Sequence, residues 1–322
     1  MSGKAVRGGD EGQTGGILNI DKPSLMTTMD IVRRVKRASG QKRVGHGGTL
    51  DPIATGVVLV CIGQAPRTME YLIEGTKEYK CRIVLGVETD TYDSEGTVTA
   101  TGDVSAITLR EIEEEVGSFN GVISQVPPMF SALKQQGKRL YDLARAGVEV
   151  EREPRKVRVH RIDVLDWAPP EVTVGVTCGR GFYVRSMAHD LGERLGCGGH
   201  VTELVRLRSG PFEISDAVSL DEMEQRMIDG TWEDLLHPPD SVVLHERAAV
   251  VGVGVEEMIR HGRPLPAGLR VPPTGNSELC RVYNVDGAFV GMLSFVASSG
   301  QWQPEKVFSV PPLIRKGGKR SL

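Results

Sequence analysis

The chain has 322 residues, 39% of them hydrophobic and 25% charged, enough to pack one large domain and a smaller one. Its longest uninterrupted apolar run, residues 57–62, is far short of the roughly 20 residues a membrane helix needs, so no span is expected to cross a bilayer. Cys61, Cys81, Cys178, Cys197 and Cys280 are widely spaced with no C-x-x-C pair, which argues against a disulfide framework and a zinc site. The seven histidines show no metal-ligand spacing, and no metal is expected.

The formal net charge of −3 is unevenly spread. Residues 16–210 carry 26 Lys/Arg against 25 Asp/Glu, whereas residues 211–322 carry 11 against 15. Within the first part Arg33, Arg34, Lys36, Arg37, Lys42 and Arg43 follow one another with no acid among them. A second group runs from Lys134, Lys138, Arg139 and Arg145 to Arg155, Lys156, Arg158 and Arg161. Such patches can track phosphates whatever the net charge, or form solvated faces.

In chain order, residues 1–15 lack the apolar stretch of a signal peptide and read as a flexible tail, so a cytoplasmic protein is expected. Residues 17–20 form a short strand stopped at Asp21-Lys22-Pro23. Thr27 and Asp30 then make a capping box opening a helix with the apolar stripe Ile31, Val32, Val35 and Ala38, ended by Gly40. Arg33, Arg34, Lys36 and Arg37 must point outward. The run Gly45-His46-Gly47-Gly48-Thr49-Leu50-Asp51-Pro52 follows, three glycines in four residues allowing close backbone approach and Pro52 stiffening the segment after the carboxylate. Asp51 reads as a nucleophile in a shaped loop or as a turn-capping residue.

Strands are expected at 57–62 and 79–85, an acidic helix at 108–116, and a basic excursion at 131–155 after the breaker Val126-Pro127-Pro128-Met129. Alternating strands follow at 157–164 and 172–178. Gly179-Arg180-Gly181-Phe182-Tyr183 leads into a helix with the apolar face Val184, Met187, Ala188, Leu191 and Leu195. Arg185 in its opening turn gains nothing from the helix dipole; it reads as an exposed arginine or, explaining the placement better, as the partner of a carboxylate in a nearby cleft. After residue 239 the chain turns to strands and turns, with Asp286-Gly287 as a hairpin signal.

One ordered set of motifs carries a family resemblance. It comprises residues 16–23 (Gly-Ile-Leu-Asn-Ile-Asp-Lys-Pro), the loop 45–52 with Ala54-Thr55-Gly56, Lys77-Glu78-Tyr79, residues 127–134, residues 137–141, Gly181-Phe182-Tyr183-Val184-Arg185 and residues 195–198. In this order they resemble the bacterial TruB-type tRNA pseudouridine synthases, relatives of the Cbf5/dyskerin enzymes. The resemblance implies an α+β pseudouridine synthase fold over residues 16–235: a central, mostly antiparallel mixed β-sheet flanked by helices, with a thumb-like RNA-binding insert at about 125–155. A small PUA-like β-barrel is expected over 240–312 and a basic flexible tail over 313–322.

The resemblance implies isomerisation of uridine 55 in the tRNA T-loop by a monomer, without a cofactor. Asp51 would be the nucleophile, Arg185 its charge-assisted partner, and Tyr79 the platform under the flipped base and a mover of the C5 proton. Tyr183 and Leu204 would line the pocket. His46 would contact the RNA and not serve as a base, and Lys22, Arg33, Lys36, Lys134, Lys138 and Arg139 are candidates for the RNA backbone. Gly47 stands where the family usually has a larger residue, and its freedom is expected to loosen the loop. Two other readings are a guide-RNA-dependent catalytic subunit and a non-catalytic RNA-binding or tRNA-folding protein; the insert argues against the first, and Asp51, Tyr79 and Arg185 against the second.

Overall fold

The computed structural model describes residues 15–309 except 132, 136, 149, 267–272 and 274. Nearly all of the expected N-terminal tail and the whole basic C-terminal tail lie outside the described residues. Strand β1 (Gly16–Lys22) leads to helix α1 (Thr28–Ser39), where Thr27 and Asp30 form the expected capping box and Gly40, at φ 65°, ends the helix. Ile31, Val32 and Val35 are buried. Ala38, expected to extend that stripe, is exposed in the last turn, beyond the part of the helix that packs on the sheet.

Next come β2 (Val44–His46), β3 (Thr55–Ile62), a 3-10 turn (Ala65–Thr68), α2 (Met69–Glu74), β4 (Lys77–Leu85), β5 (Val87–Thr89) and β6 (Val98–Thr101). Helix α3 (Leu109–Gly117) precedes β7 (Gly121–Gln125). The short β8 (Lys134–Gln135), β9 (Lys138–Arg139) and α4 (Leu140–Arg145) lie before β10 (Arg155–Ala168). Strand β11 (Glu171–Cys178), α5 (Val184–Arg194), β12 (Gly199–Ser209), β13 (Phe212–Glu213), β14 (Val218–Ser219) and α6 (Leu220–Ile228) complete the first unit.

One ten-stranded sheet runs β14-β1-β3-β12-β4-β11-β10-β7, with β2 on β3 and β13 on β12. Only the β1·β14 and β3·β12 pairs are parallel, so the sheet is mixed and mostly antiparallel. Strands β7 and β10 are antiparallel neighbours, so the basic excursion leaves and re-enters the sheet at one edge. Within it β8 and β9 pair as a two-stranded ribbon.

The rest of the chain forms a second sheet from β15 (Arg247–Val251), β16 (Leu265–Pro266), β17 (Leu279–Asn284), β18 (Phe289–Val296) and β19 (Gln301–Val307), ordered β15-β17-β18-β19-β16, with α7 (Val253–Arg260) following β15. Strand β3 explains how the units share a core. Seven of its eight residues are buried, and successive side chains take opposite faces. Val58, Val60 and Ile62 join the cluster containing Ile31 of α1, Ile112 of α3, Met187 of α5 and Met223 of α6. Val57, Leu59 and Cys61 join Phe289, Met292 and Phe308 of the second unit. A strand apolar on both faces is what a sheet covered on both sides requires.

No helix among the described residues is long and apolar enough to cross a membrane. Phe308, fully buried with its ring 4.9 Å from that of Phe289, is a pin of the shared core. Phe308→Ala is expected to lower the unfolding free energy by about 3–5 kcal/mol in urea titration; an unchanged midpoint would show that the two units do not depend on this seam.

Candidate active site

Asp51 sits in the loop between β2 and β3, and main-chain contacts hold that loop. Thr28, the first residue of α1, accepts from the Leu50 amide at 2.9 Å and donates to the Leu50 carbonyl at 3.3 Å, both buried. The Gly47 amide donates to Leu59 O at 3.0 Å and the Leu25 amide to Pro52 O at 2.9 Å. Gly47 does not loosen this loop, contrary to expectation. A Cβ there would lie 2.6 Å from Leu72 Cδ1 and 2.8 Å from Leu72 Cβ, so its lack of a side chain lets the loop pack on α2. Gly48, at φ 148°, supplies the conformation that side chains rarely adopt.

Lys22 was expected among the contacts to the RNA backbone, and the structure corrects this. It is wholly buried, and its ammonium donates to Pro23 O, Met26 O and Pro52 O at 2.8, 2.7 and 3.1 Å. A cation enclosed by carbonyls offers nothing to a phosphate. Burial pushes its pKa down to about 8, against an attraction from Asp51.

The guanidinium of Arg185, in the first turn of α5, faces Asp51. Nε donates to Asp51 Oδ2 at 2.8 Å and Nη2 to Oδ1 at 2.9 Å, the bidentate fork. Nη2 also donates to Phe130 O at 2.8 Å, and Nη1 to Thr91 O at 3.0 Å, with Asp93 Oδ2 3.1 Å from Nη1. Four hydrogen bonds and the ion pair with Asp93 thus surround the guanidinium. The side chains of Arg185 and Asp93 are 4% exposed, but that of Asp51 is 30% exposed, so the carboxylate alone in this chain of charges opens to solvent.

Asp93 is itself set by its turn: Thr91 Oγ1 and the Glu95 amide donate to its Oδ1 at 2.6 and 3.1 Å. Ser94 N→Val201 O and Val201 N→Tyr92 O tie the turn to β12. Strand β4 places Tyr79 and strand β12 places Leu204, the two strands being antiparallel neighbours. Burial raises the Tyr79 phenol pKa, opposed by Arg206. Tyr183 precedes α5, its amide donating to Gln125 Oε1 at 2.8 Å and its carbonyl accepting from Gln125 Nε2 at 3.0 Å. Its phenol pKa is likewise raised, first by burial. Leu204, 5% exposed, belongs mainly to the core.

Residues 36–184 match the family model "TruB family pseudouridylate synthase (N terminal domain)", and residues 185–244 match "tRNA pseudouridylate synthase B C-terminal domain". A tRNA pseudouridine synthase B of Dehalococcoides mccartyi is 41% identical over 296 residues, 92% of this chain and 97% of that protein. That of Geobacter sulfurreducens is 45% identical over 297 residues, 90% of this chain and 96% of its own. The chain belongs to the TruB family.

Among solved structures, a Cbf5-Nop10-Gar1 complex matches with a TM-score of 0.70 at 25% identity, covering 92% of this chain and 85% of that one. An H/ACA RNP bound to a substrate RNA containing 2'-deoxyuridine also gives 0.70, at 22% identity over 97% and 95% of the two chains, a likeness of fold.

The remaining TruB family candidates separate by position. His46 ends β2 opposite Val60, partly buried, at the head of the Asp51 loop. Arg33 and Lys36 are exposed on α1, and Arg33 pairs with Asp30 at 2.6 Å. Lys134, Lys138 and Arg139 lie on the β8·β9 ribbon, their side chains outside the described residues. Sequence reading missed Asp93, Gln125, Thr28 and Arg206. Each is a common polar residue with no local pattern, and only tertiary pairing marks it.

The histidine spacing had pointed to no metal. Among the described residues, His189, Asp190 and Glu193 of α5 do bring ligand atoms within 4.8 Å of one another. His189 is, however, stacked on Tyr92 at 4.0 Å and lies 3.5 Å from Glu88, which accounts for its placement.

Lys22→Met leaves three inward carbonyls without a donor and is expected to lower stability by about 1–3 kcal/mol. The folded-state pKa of Lys22 is depressed to about 8 from 10.5, so above pH 8 the folded protein releases this proton while the unfolded chain keeps it. The contribution of Lys22 to stability therefore rises with pH through that window and is lost as pH falls through 8. The deficit of Lys22→Met, read from urea midpoints, should be larger at pH 9.5 than at pH 7.5.

Proposed function

We propose that this chain isomerises uridine 55 in the T-loop of tRNA to pseudouridine, with Asp51 as nucleophile. The observation that carries this reading is the half-open Asp51 carboxylate, gripped by the buried Arg185 within segments matched to the TruB family. The isomerisation breaks the N1–C1′ bond, forms a C5–C1′ bond, removes the C5 proton and protonates N1. Atoms and electrons balance, so the reaction requires no cofactor to supply electrons or a group. A carboxylate adding covalently to the nucleotide divides this exchange into easier steps, and the fork from Arg185 aims it without reorganisation at the moment of attack.

In this reading Tyr79 stacks on the extruded base and takes part in moving the C5 proton, with Tyr183 and the edge of Leu204 lining the pocket. His46, at the head of the catalytic loop, holds the stem-loop open after the base leaves its stack. Arg33, Lys36, Lys134, Lys138 and Arg139 contact phosphates, and the insert at about 125–155 clamps the RNA. Residues 16–235 form the catalytic domain. Residues 240–312 act as a PUA-like unit that braces it through the shared core. The enzyme works as a cytoplasmic monomer.

The fold likeness to the Cbf5 complexes favours a second reading, a catalytic subunit dependent on a guide RNA and partner proteins. The 41–45% identity to bacterial synthase B proteins along nearly their whole length weighs for the first. Purified chain and unmodified tRNA transcript, with nothing else added, should yield pseudouridine at the T-loop uridine, and Asp51→Asn should reduce the yield to background. Product formed only with added protein and guide RNA would favour the second reading, while full activity of Asp51→Asn would remove the nucleophile assignment. Lys36→Ala should weaken binding of different tRNAs alike and reduce the salt slope by about 1; an unchanged slope would take α1 off the RNA face.

A further inference from the structure

Arg206 is a buried cation that the reading above leaves without a task. It lies on β12 between two neighbours, opposite Gly56 of β3 on one side and Tyr79 of β4 on the other. The residue is 2% exposed and forms no ion pair with a carboxylate among the described residues. Its Nε donates to Val57 O at 2.7 Å and its Nη1 to Thr49 O at 3.4 Å, two residues before Asp51 in the loop. Because Arg206 and Tyr79 are direct partners in the antiparallel ladder, their side chains share one face of the sheet, and the guanidinium charge acts on the phenol.

Close approach here depends on glycine. A Cβ on Gly56 would lie 2.3 Å from Arg206 O, so β3 and β12 can pair this closely only through glycine there. A purely structural filler of this space would need no charge, because an enclosed cation without a counter-anion is costly to bury.

We infer that Arg206 is a positioning residue for Tyr79, its side chain beside the phenol on the same face of the sheet and tied through Thr49 O to the loop that carries Asp51. The inference rests on the proposed role of Tyr79 in moving the C5 proton. Burial and Asp51 both disfavour negative charge on the phenol oxygen, while the charge of Arg206 favours it. Accepting a proton from carbon requires that favoured state. The same charge is felt at Lys77, whose pKa is pushed down to about 8 by burial first and Arg206 second.

The test is a double-mutant cycle on the full-length enzyme with tRNA transcript, using Arg206→Gln, Tyr79→Phe and the pair. Arg206→Gln should lower the single-turnover rate at saturating tRNA by about 10–100-fold, move the ascending limb of the rate profile, where the phenol loses its proton, to higher pH, and leave tRNA affinity nearly unchanged. It should add little to the loss already caused by Tyr79→Phe. Tyrosine ring-carbon NMR on the free enzyme should show the Tyr79 phenol titrating at higher pH in Arg206→Gln. Arg206→Lys, which keeps the charge and loses the fork, should fall between the two, and it carries the cycle where the Gln variant does not fold.

Equal losses in the Tyr79 and Tyr79→Phe backgrounds, a loss confined to affinity, or an unmoved phenol titration would each overturn the assignment of Arg206 alone. A Tyr79→Phe enzyme with the full rate would overturn the reading of Tyr79 itself and this inference with it.

Discussion

The guanidinium of Arg185 is the junction on which the site depends. It joins four stretches of chain that are distant in sequence: the Asp51 loop, the Thr91–Asp93 turn, the root of the insert at Phe130 and the start of α5. Removing a planar cation from water is expensive, and the cost is offset only when every donor finds a well-placed acceptor. Here the offset comes from four hydrogen bonds, to the Asp51 carboxylate and to two carbonyls, and from the ion pair with Asp93. The direction of the Asp51 carboxylate is therefore fixed by groups that belong to the fold as a whole.

The rest of the loop is anchored through its main chain. Thr28 brackets Leu50 from the capped start of α1, Lys22 reaches Pro52 from the end of β1, and Gly47 bonds to Leu59. These anchors come from the same elements that build the core over β3, so packing the sheet also sets the carboxylate. A site mounted on such elements needs little rearrangement to become competent.

Much of this was legible in the sequence where the signal is local. The capping box at Thr27 and Asp30, the stripe Ile31, Val32 and Val35, the apolar run at 57–62 and the strands around 79–85 and 172–178 are all marked by neighbouring residues, through capping chemistry, helical spacing, unbroken apolarity or alternation. The misplaced dipole argument for Arg185 led to a carboxylate partner, and the structure supplies two. What stayed hidden depends on long-range pairing. Lys22 between Asp21 and Pro23 reads as a structural or a phosphate contact, and only the folded chain shows the three carbonyls that make it structural. Gly47 reads as freedom, and only the approach of Leu72 turns it into a packing requirement. Asp93 carries no spacing signal, because its meaning comes from a helix that begins more than ninety residues later. The sharing of a core between the two sheets was equally invisible, since an apolar run does not say what covers each face.

Strand β3 behaves like a reading frame. Its odd-numbered apolar residues, Val57, Leu59 and Cys61, serve one core and its even-numbered ones, Val58, Val60 and Ile62, serve the other. One added or missing residue would send every side chain beyond it to the wrong partner and shift the pairing with β1, β2 and β12 together. The strand can accept exchanges of similar volume at any of these positions, but its length is locked, and with it the distance along the chain from Asp51 to the centre of the sheet.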